Sequence, residues 1–343
     1  MKRLALIFAS VLTGCSLLID EDWSDCGGPL GVDYELRLIT NMRTELATVL
    51  SLDASVKTVA ALDAKMSETF VDYAHDVNLS FYDLYGDMPL LQHMTRKMEA
   101  NETSYIFSIP AHDYLHTGIA NFAECESVAL EGEGFCKSER LVQKQENGYA
   151  ESHGSGVFTA RKKMEVLTGI SQTFEVSLYM VNSASALIID ASEFGVAADD
   201  VRVEVSGFAD SFYIADSLYT YNSDPHIKAK LVPIEDSSDL CFAAVHFPSR
   251  DPNPETKVVI QVDDDEYVES SSEPLWQWTV YVTLKDGSVT QSVLHVYESL
   301  PAGHLKVVRA RMYEQGTVKA EDPLVGVSVV LDWQPGSSHD ITM

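Results

Sequence analysis

Apolar and polar residues alternate with a period of two along most of the chain, a pattern that predicts β-strands. Up to residue 180 the predicted strands are Val32–Ile39, Val77–Phe81, Ser104–Ile109, Asp113–Asn121, Val157–Val166 and Phe174–Met180. Beyond residue 180 they are Leu187–Ile189, Val201–Val205, Phe212–Ile214, Cys241–Phe247, Val258–Val262, Trp276–Leu284, Val289–Val296, Leu305–Met312 and Val325–Trp333. One segment departs from this pattern, because its apolar residues recur every three or four positions and predict a helix over 55–70: Val56, Val59, Leu62, Met66 and Phe70.

Many short strands with a single helical segment predict an all-β fold. We expect two tandem antiparallel β-sandwich domains, at 31–168 and 169–343, with the helix as a short insertion in the first. Within the second domain, Asp286-Gly287 separates two predicted strands and indicates a tight hairpin turn.

The N-terminus has the features of a lipoprotein signal peptide. Lys2 and Arg3 precede a short apolar stretch, Leu4–Leu12, which is too short to span a bilayer as a permanent helix. It ends in Leu12-Thr13-Gly14-Cys15, with a small residue directly before a cysteine. We therefore expect cleavage after residue 14, lipid on Cys15, and a tether over residues 15–30 that holds the mature protein on a membrane outside the cytoplasm.

The charge of the chain excludes one class of partner. The 343 residues include 24 Lys and Arg against 52 Asp and Glu, a net charge of −28. Such a field repels nucleic acid, so we expect no nucleic-acid partner. Because 45% of the residues are hydrophobic, the chain nevertheless has the composition of a folded protein.

Four cysteines follow Cys15, and an even number in an exported chain allows two disulfides. Cys125 and Cys136 flank a short glycine-containing loop, so we predict a disulfide between them. Closing this loop would contribute about 2–3 kcal/mol in the chain-entropy model. The pairing of Cys26 with Cys241 stays open.

Several motifs resemble catalytic or metal sites without meeting their requirements. His112 and His116 have helical metal-site spacing, but in a predicted strand they lie about 13 Å apart. Gly154-Ser155-Gly156 lacks the spacing of a nucleophile elbow, and we interpret it as a flexible loop. Asp263–Glu266 lacks the alternating ligands of a calcium loop. We expect no enzyme activity, no metal and no cofactor.

Two further motifs leave alternatives open. Asp216-Ser217-Leu218 fits an O-glycosylation pattern of some anaerobic Gram-negative bacteria, although a three-residue match is weak. Trp276 and Trp278 share one face of a predicted strand, where they either fill the core or form a platform for a sugar ring.

The C-terminal strand has five apolar residues on one face: Val325, Val327, Val329, Leu331 and Trp333. This pattern suits a strand laid against a hydrophobic groove. Two interpretations follow. The strand completes the second domain's own sandwich, or it is donated to a neighbouring subunit.

Several segments together resemble the FimB/Mfa family of fimbrial anchor lipoproteins. They are the Leu12–Cys15 motif, Asp20–Cys26, Asp33–Asn41, His75–Tyr82, Val205–Ala209 and Val329–Trp333. The chain departs from the family pattern at Trp23 and at Gly27-Gly28-Pro29.

The resemblance implies two transthyretin-like β-sandwich domains in a type V pilus. It further implies a non-catalytic protein, lipid-anchored at the outer membrane and exposed on the cell surface, that holds the base of a pilus and limits its length. Its partners would be stalk subunits and, through Cys15, the outer membrane. The alternative is a surface glycan-binding lipoprotein of a polysaccharide-uptake system, with Trp276 and Trp278 as its aromatic platform.

Overall fold

The computed structural model describes residues 30–39, 56–71, 74–99, 102–194, 197, 200–253, 255, 257–263, 266–321 and 325–332. Within these residues the chain forms the helix α1 (Val56–Thr69), two one-turn 3-10 helices (Cys136–Ser138 and Glu314–Gly316) and 24 strands. In chain order the first twelve strands are β1 (Leu30–Ile39), β2 (Asp76–Asp83), β3 (Leu90–Lys97), β4 (Ser104–Ile109), β5 (His112–Ala120), β6 (Val128–Glu131), β7 (Arg140–Gln143), β8 (Tyr149–Glu151), β9 (Phe158–Val166), β10 (Gln172–Met180), β11 (Ser183–Asp190) and β12 (Val201–Ser206). The others are β13 (Ser211–Tyr213), β14 (Leu218–Thr220), β15 (His226–Lys228), β16 (Lys230–Val232), β17 (Asp239–His246), β18 (Lys257–Asp263), β19 (Glu266–Ser271), β20 (Trp276–Thr283), β21 (Val289–Val296), β22 (Leu305–Met312), β23 (Val318–Ala320) and β24 (Val325–Asp332). The predicted all-β class is confirmed.

The strands form four larger sheets and one separate hairpin. Sheet I has seven strands in the order β3-β2-β5-β9-β10-β1-β4, and sheet II has five in the order β16-β17-β11-β22-β23. Sheet III has six strands in the order β24-β21-β20-β12-β15-β8, and sheet IV has four in the order β14-β13-β7-β6. Strands β18 and β19 pair only with each other in the described chain.

The sheets are mixed, which differs from the antiparallel sandwiches predicted from the sequence. β1 runs parallel to β10, β11 parallel to β22, and β15 parallel to β8. The period-two pattern identifies strands, but it carries no information on which strands become neighbours or in which direction they run.

Sheet II is the central layer and is buried on both faces. On β11, Ala184, Ala186 and Ile188 belong to a core shared with sheet I and α1. The intervening residues Leu187 and Ile189 belong to a second core shared with sheet III. A strand covered on both sides has no polar face, which accounts for its nearly continuous apolar sequence.

The predicted boundary at residue 168 does not coincide with a break between sheets. β10, which follows the boundary, lies in sheet I between β9 and β1. β8, which precedes it, pairs with β15 in sheet III, and β7 pairs with β13 in sheet IV. The two halves therefore interlock through shared sheets and a shared apolar core.

The helix and the main hairpin follow the sequence prediction closely. In α1, Leu62 and Met66 are buried against the core, and the Thr58 hydroxyl donates a hydrogen bond to an Asp239 carboxylate oxygen at 2.8 Å. β20 and β21 form the predicted hairpin, in which Asp286 accepts a hydrogen bond from the Ser288 amide at 2.9 Å. Helix periodicity and turn chemistry are local, so they can be inferred without knowing the fold.

Candidate functional site

The tether would enter the fold through β1, the first strand that the structure describes. β1 is an interior strand of sheet I, paired over eight residues with β10 and over six residues with β4. Its side chains Val32 and Tyr34 are buried in the core. The predicted lipidation site, Cys15, and residues 16–29 of the predicted tether lie outside the described residues, whereas Leu30 already belongs to β1. No described helix is long and apolar enough to cross a membrane.

The C-terminal strand lies in the protein's own sheet. β24 pairs antiparallel with β21 over eight residues, from Val296 opposite Val325 to Val289 opposite Asp332. The register sets Val327 opposite Leu294, and Val325 is buried in the core of sheet III. In this structure β24 therefore completes the protein's own sandwich, as in the first of the two interpretations of the C-terminal strand. Val329 and Leu331 also lie on β24, whereas Trp333 is outside the described residues.

The predicted Cys125–Cys136 disulfide is absent, and both thiols are free and buried. Cys125 precedes β6, while Cys136 follows it in a one-turn 3-10 helix. The fold packs Cys125 in one apolar cluster with Ile119 and Leu141, and Cys136 in a separate cluster with Tyr82 and Leu115. Burial also raises the pKa of the Cys136 thiol to about 11. Cys241 is likewise free and buried, and its pKa is raised to about 12 by burial.

Neither tryptophan of β20 is available as a sugar platform. Trp276 and Trp278 are 2% and 0% exposed and form part of the core between sheets II and III. The Trp276 indole nitrogen donates a hydrogen bond to the Glu298 carbonyl at 2.9 Å. Both residues therefore stabilise the sandwich and present no aromatic face to solvent.

The two candidate metal histidines have separate surroundings. His116 is fully buried and stacks on Phe81, with ring centroids 4.5 Å apart. His112 is partly exposed near Asp83, at 3.5 Å from its carboxylate. In the described chain no group of three or more His, Cys, Asp or Glu could hold a metal ion.

The Gly154-Ser155-Gly156 segment is not the flexible loop predicted from its sequence. Ser155 and Gly156 are buried, and the Ser155 hydroxyl donates a hydrogen bond to the Asn121 carbonyl at 2.8 Å. A Cβ added to Gly156 would lie 2.6 Å from the Phe70 ring. Glycine here permits close packing of the segment against the residue that follows α1.

The remaining motifs lie at turns. Asp263 and Glu266 pair across the tip of the β18–β19 hairpin, whose residues 264 and 265 are outside the described chain. Asp216 and Ser217 are exposed at the tip of the β13–β14 hairpin, and Ser217 has a φ of 54°.

Three buried histidines, His116, His153 and His246, have pKa values that lie well below the ordinary value of an imidazole. Burial lowers the pKa of His116 to about 4, and it lowers the pKa of both His153 and His246 to about 3. Each ring is satisfied as a neutral imidazole. For His246, Nδ1 donates to the Phe247 carbonyl at 2.8 Å, and Nε2 accepts from the Ser185 hydroxyl at 2.8 Å.

A groove with a cationic rim, here called the basic groove, was not predicted from the sequence. It has a volume of about 390 Å³. It is lined by Leu84, Met88, Leu115, Lys137, Arg161, Lys162, Lys163, Ala215 and Asp216. These residues come from the β2–β3 loop, β5, the first 3-10 helix, β9 and the β13–β14 turn. Only the run Arg161-Lys162-Lys163 is visible in the sequence, because folding alone brings the other segments beside it.

Comparisons with known proteins identify a class of fold. No protein-family model matches the chain, and no curated protein sequence matches it. A candidate adhesin from Bacteroides thetaiotaomicron has a TM-score of 0.50 at 10% identity, covering 87% of this chain and 97% of that chain. A candidate adhesin from Bacteroides ovatus has a TM-score of 0.50 at 9% identity, covering 90% of this chain and 96% of that chain.

The similar structures also include the fimbrial anchor protein Mfa2 from Porphyromonas gingivalis. It has a TM-score of 0.46 at 7% identity, covering 89% of this chain and all of that chain, 100%. At such low identities the two adhesins show that the chain shares their fold, and they show nothing further.

Proposed function

We propose that the protein is a lipid-anchored, non-catalytic fimbrial subunit of the outer membrane, exposed on the cell surface. In this role it holds the base of a pilus through contacts with stalk subunits and limits the length of the pilus. The lipid on Cys15 is its link to the membrane. The sequence resemblance to fimbrial anchor lipoproteins supports this assignment, and so does a fold shared with candidate adhesins.

The observation that carries the proposal is the position of β1 in sheet I. A pull on the tether acts along the axis of β1, which is paired on both sides. All of its interstrand hydrogen bonds are then loaded together in shear, whereas an edge strand would peel away one bond at a time. An interior first strand therefore suits a protein that bears tension between a membrane and a fibre.

The single structural unit formed by the two halves also fits this role. Sheet II packs against sheet I on one face and against sheet III on the other. Separating the halves would expose an apolar core, so tension is transmitted through packed sheets and not through an extensible linker.

The alternative, a glycan-binding lipoprotein, depended on an exposed aromatic platform. Burial of Trp276 and Trp278 removes the residues on which that hypothesis rested. We therefore favour the fimbrial role.

The proposal is tested by comparing wild-type cells with cells that carry Cys15→Ala. Metabolic labelling with a palmitate analogue should mark the wild-type protein only. Electron microscopy should show fimbriae shed into the medium from the variant, and longer fimbriae in a strain that lacks the protein. Equal labelling of both proteins would contradict the lipidation, and unchanged fimbrial retention and length would contradict the anchoring role.

A further inference from the structure

The basic groove is the surface feature that the proposed function leaves unexplained. Leu115 and Ala215 form part of its floor and are 8% and 5% exposed. Arg161 is held at the wall, because its guanidinium donates a hydrogen bond to the Ala215 carbonyl. A guanidinium has five N–H donors, so the remaining donors can bind an anion.

Lys162 donates a hydrogen bond to the Glu175 carbonyl, whereas the two outer lysines of the rim are unpaired among the described residues. Lys137 and Lys163 are exposed, and neither is in a hydrogen bond or a salt bridge with another described residue. Three cationic side chains, those of Lys137, Arg161 and Lys163, and one carboxylate, Asp216, line the groove, whereas the whole chain has a net charge of −28. Unpaired lysines that converge on an apolar floor in so acidic a protein are suited to binding a ligand with negative and apolar groups side by side.

We propose that the basic groove docks an extended acidic segment of a neighbouring fimbrial subunit. Carboxylates of the segment pair with Lys137, Arg161 and Lys163, and an intervening apolar side chain packs on Leu115. This inference rests on the proposed function, since it takes the partner to be a subunit of the same assembly.

The small area of the cationic rim favours a narrow peptide over a lipid surface as the ligand. At physiological ionic strength the Debye length is about 8 Å, so a ligand inside the groove is attracted mainly by the nearest cations. A flat anionic membrane covers a much larger area and is repelled by the surrounding carboxylates of an acidic protein. An extended segment also places alternate side chains on opposite faces, so charged and apolar groups can alternate between rim and floor.

The test is a titration of the full-length protein, purified in detergent, with a dye-labelled synthetic ten-residue peptide of alternating Asp and Leu. Fluorescence anisotropy compares the wild type with the double variant Lys137→Glu, Lys163→Glu. The matched control is Lys97→Glu, Lys285→Glu, which reverses two exposed lysines outside the groove and changes the net charge equally. Arg161 is left intact because its hydrogen bond to Ala215 supports the wall.

We expect the groove variant to bind the peptide about tenfold more weakly and the control variant to bind within twofold of the wild type. The same peptide with Asn in place of Asp should not bind. Thermal melts that coincide would establish that all three proteins are folded. Equal weakening in both double variants, or equal binding of the Asn peptide, would overturn the proposal. The proposal would also be overturned if the protein bound phosphatidylglycerol vesicles through Lys137 and Lys163 while its binding of the peptide did not depend on these lysines.

The cellular arm separates this inference from the proposed function. In cells that carry the groove variant, the protein should be lipidated normally, but the cells should lose their fimbriae. If Cys15→Ala sheds fimbriae and the groove variant retains them, the docking proposal is overturned and the anchoring role stands. If neither variant sheds fimbriae, the anchoring role fails, and with it the docking of a fimbrial subunit.

Discussion

Acidification from pH 7 to pH 5 should strongly destabilise the fold through three buried histidines. His116, His153 and His246 are at most 2% exposed. Burial holds their pKa values at about 4, 3 and 3, respectively. They are therefore neutral in the folded protein throughout this pH range.

The sign and size of the effect follow from proton linkage. In the unfolded chain an imidazole has a pKa of about 6.5, so below that pH the unfolded state binds protons that the folded state excludes. The contribution of the neutral imidazoles to stability is fully present above pH 6.5. It decreases as the pH falls towards the pKa values of the folded state. At pH 5 each histidine lowers the free energy of unfolding by about 2 kcal/mol, and the three together lower it by about 6 kcal/mol. This is comparable with the total stability of a typical domain, roughly 5–15 kcal/mol.

His153 shows why the fold cannot adapt to a charged ring. Its Nε2 donates to the Gln143 side-chain oxygen at 2.6 Å, and its Nδ1 accepts from the Asn182 side-chain nitrogen at 3.3 Å. A proton on Nδ1 would face that nitrogen, which is also a donor. Rotating the Asn182 amide would break its bonds to the Ser155 carbonyl and the Val157 amide. The charged state therefore costs hydrogen bonds as well as solvation.

The assay is urea denaturation followed by tryptophan fluorescence between pH 7 and pH 5. His153→Gln should reduce the loss of unfolding free energy between pH 6 and pH 5 by about 1 kcal/mol, because one fewer proton is taken up. His93→Gln is the matched control, since His93 is an exposed histidine on β3. A wild-type unfolding free energy that is equal at pH 7 and pH 5 would refute the reasoning, as would a His153→Gln profile parallel to that of the wild type.

Three further predictions concern the backbone, the C-terminal strand and the thiols. Gly207→Ala should lower the free energy of unfolding by about 3 kcal/mol, because φ is +98° and the new Cβ would lie 2.5 Å from the neighbouring strand. Gly287→Ala, at φ +84° in open space, should lower it clearly less in the same denaturation assay. Deletion of residues 324–343 removes β24 from sheet III and should abolish cooperative unfolding; a truncated protein that melts normally would contradict this. Alkylation of the unreduced, unfolded protein should find Cys125 and Cys136 free by mass spectrometry, and a cross-linked peptide would show the structure to be wrong there.

The sequence determined those features that depend on neighbouring residues. Alternation identified β1, β5 and β9 almost to the residue, and three- to four-residue periodicity identified α1. Asp286 located the main hairpin through turn chemistry. β3 was missed, because none of its residues is fully buried and polar residues occupy both faces of this edge strand.

Tertiary structure decided every feature that depends on distant residues. It placed β10, which lies beyond residue 168, beside β1 in sheet I, and it buried both faces of β11. Cys125 and Cys136 are close in sequence, but folding places them in separate apolar clusters. Lys137 and Lys163 are unremarkable as sequence positions and form one rim only after folding. Local periodicity records which residues leave water, whereas the partners they meet are fixed by sheet order and register, which the spacing along a single strand does not encode.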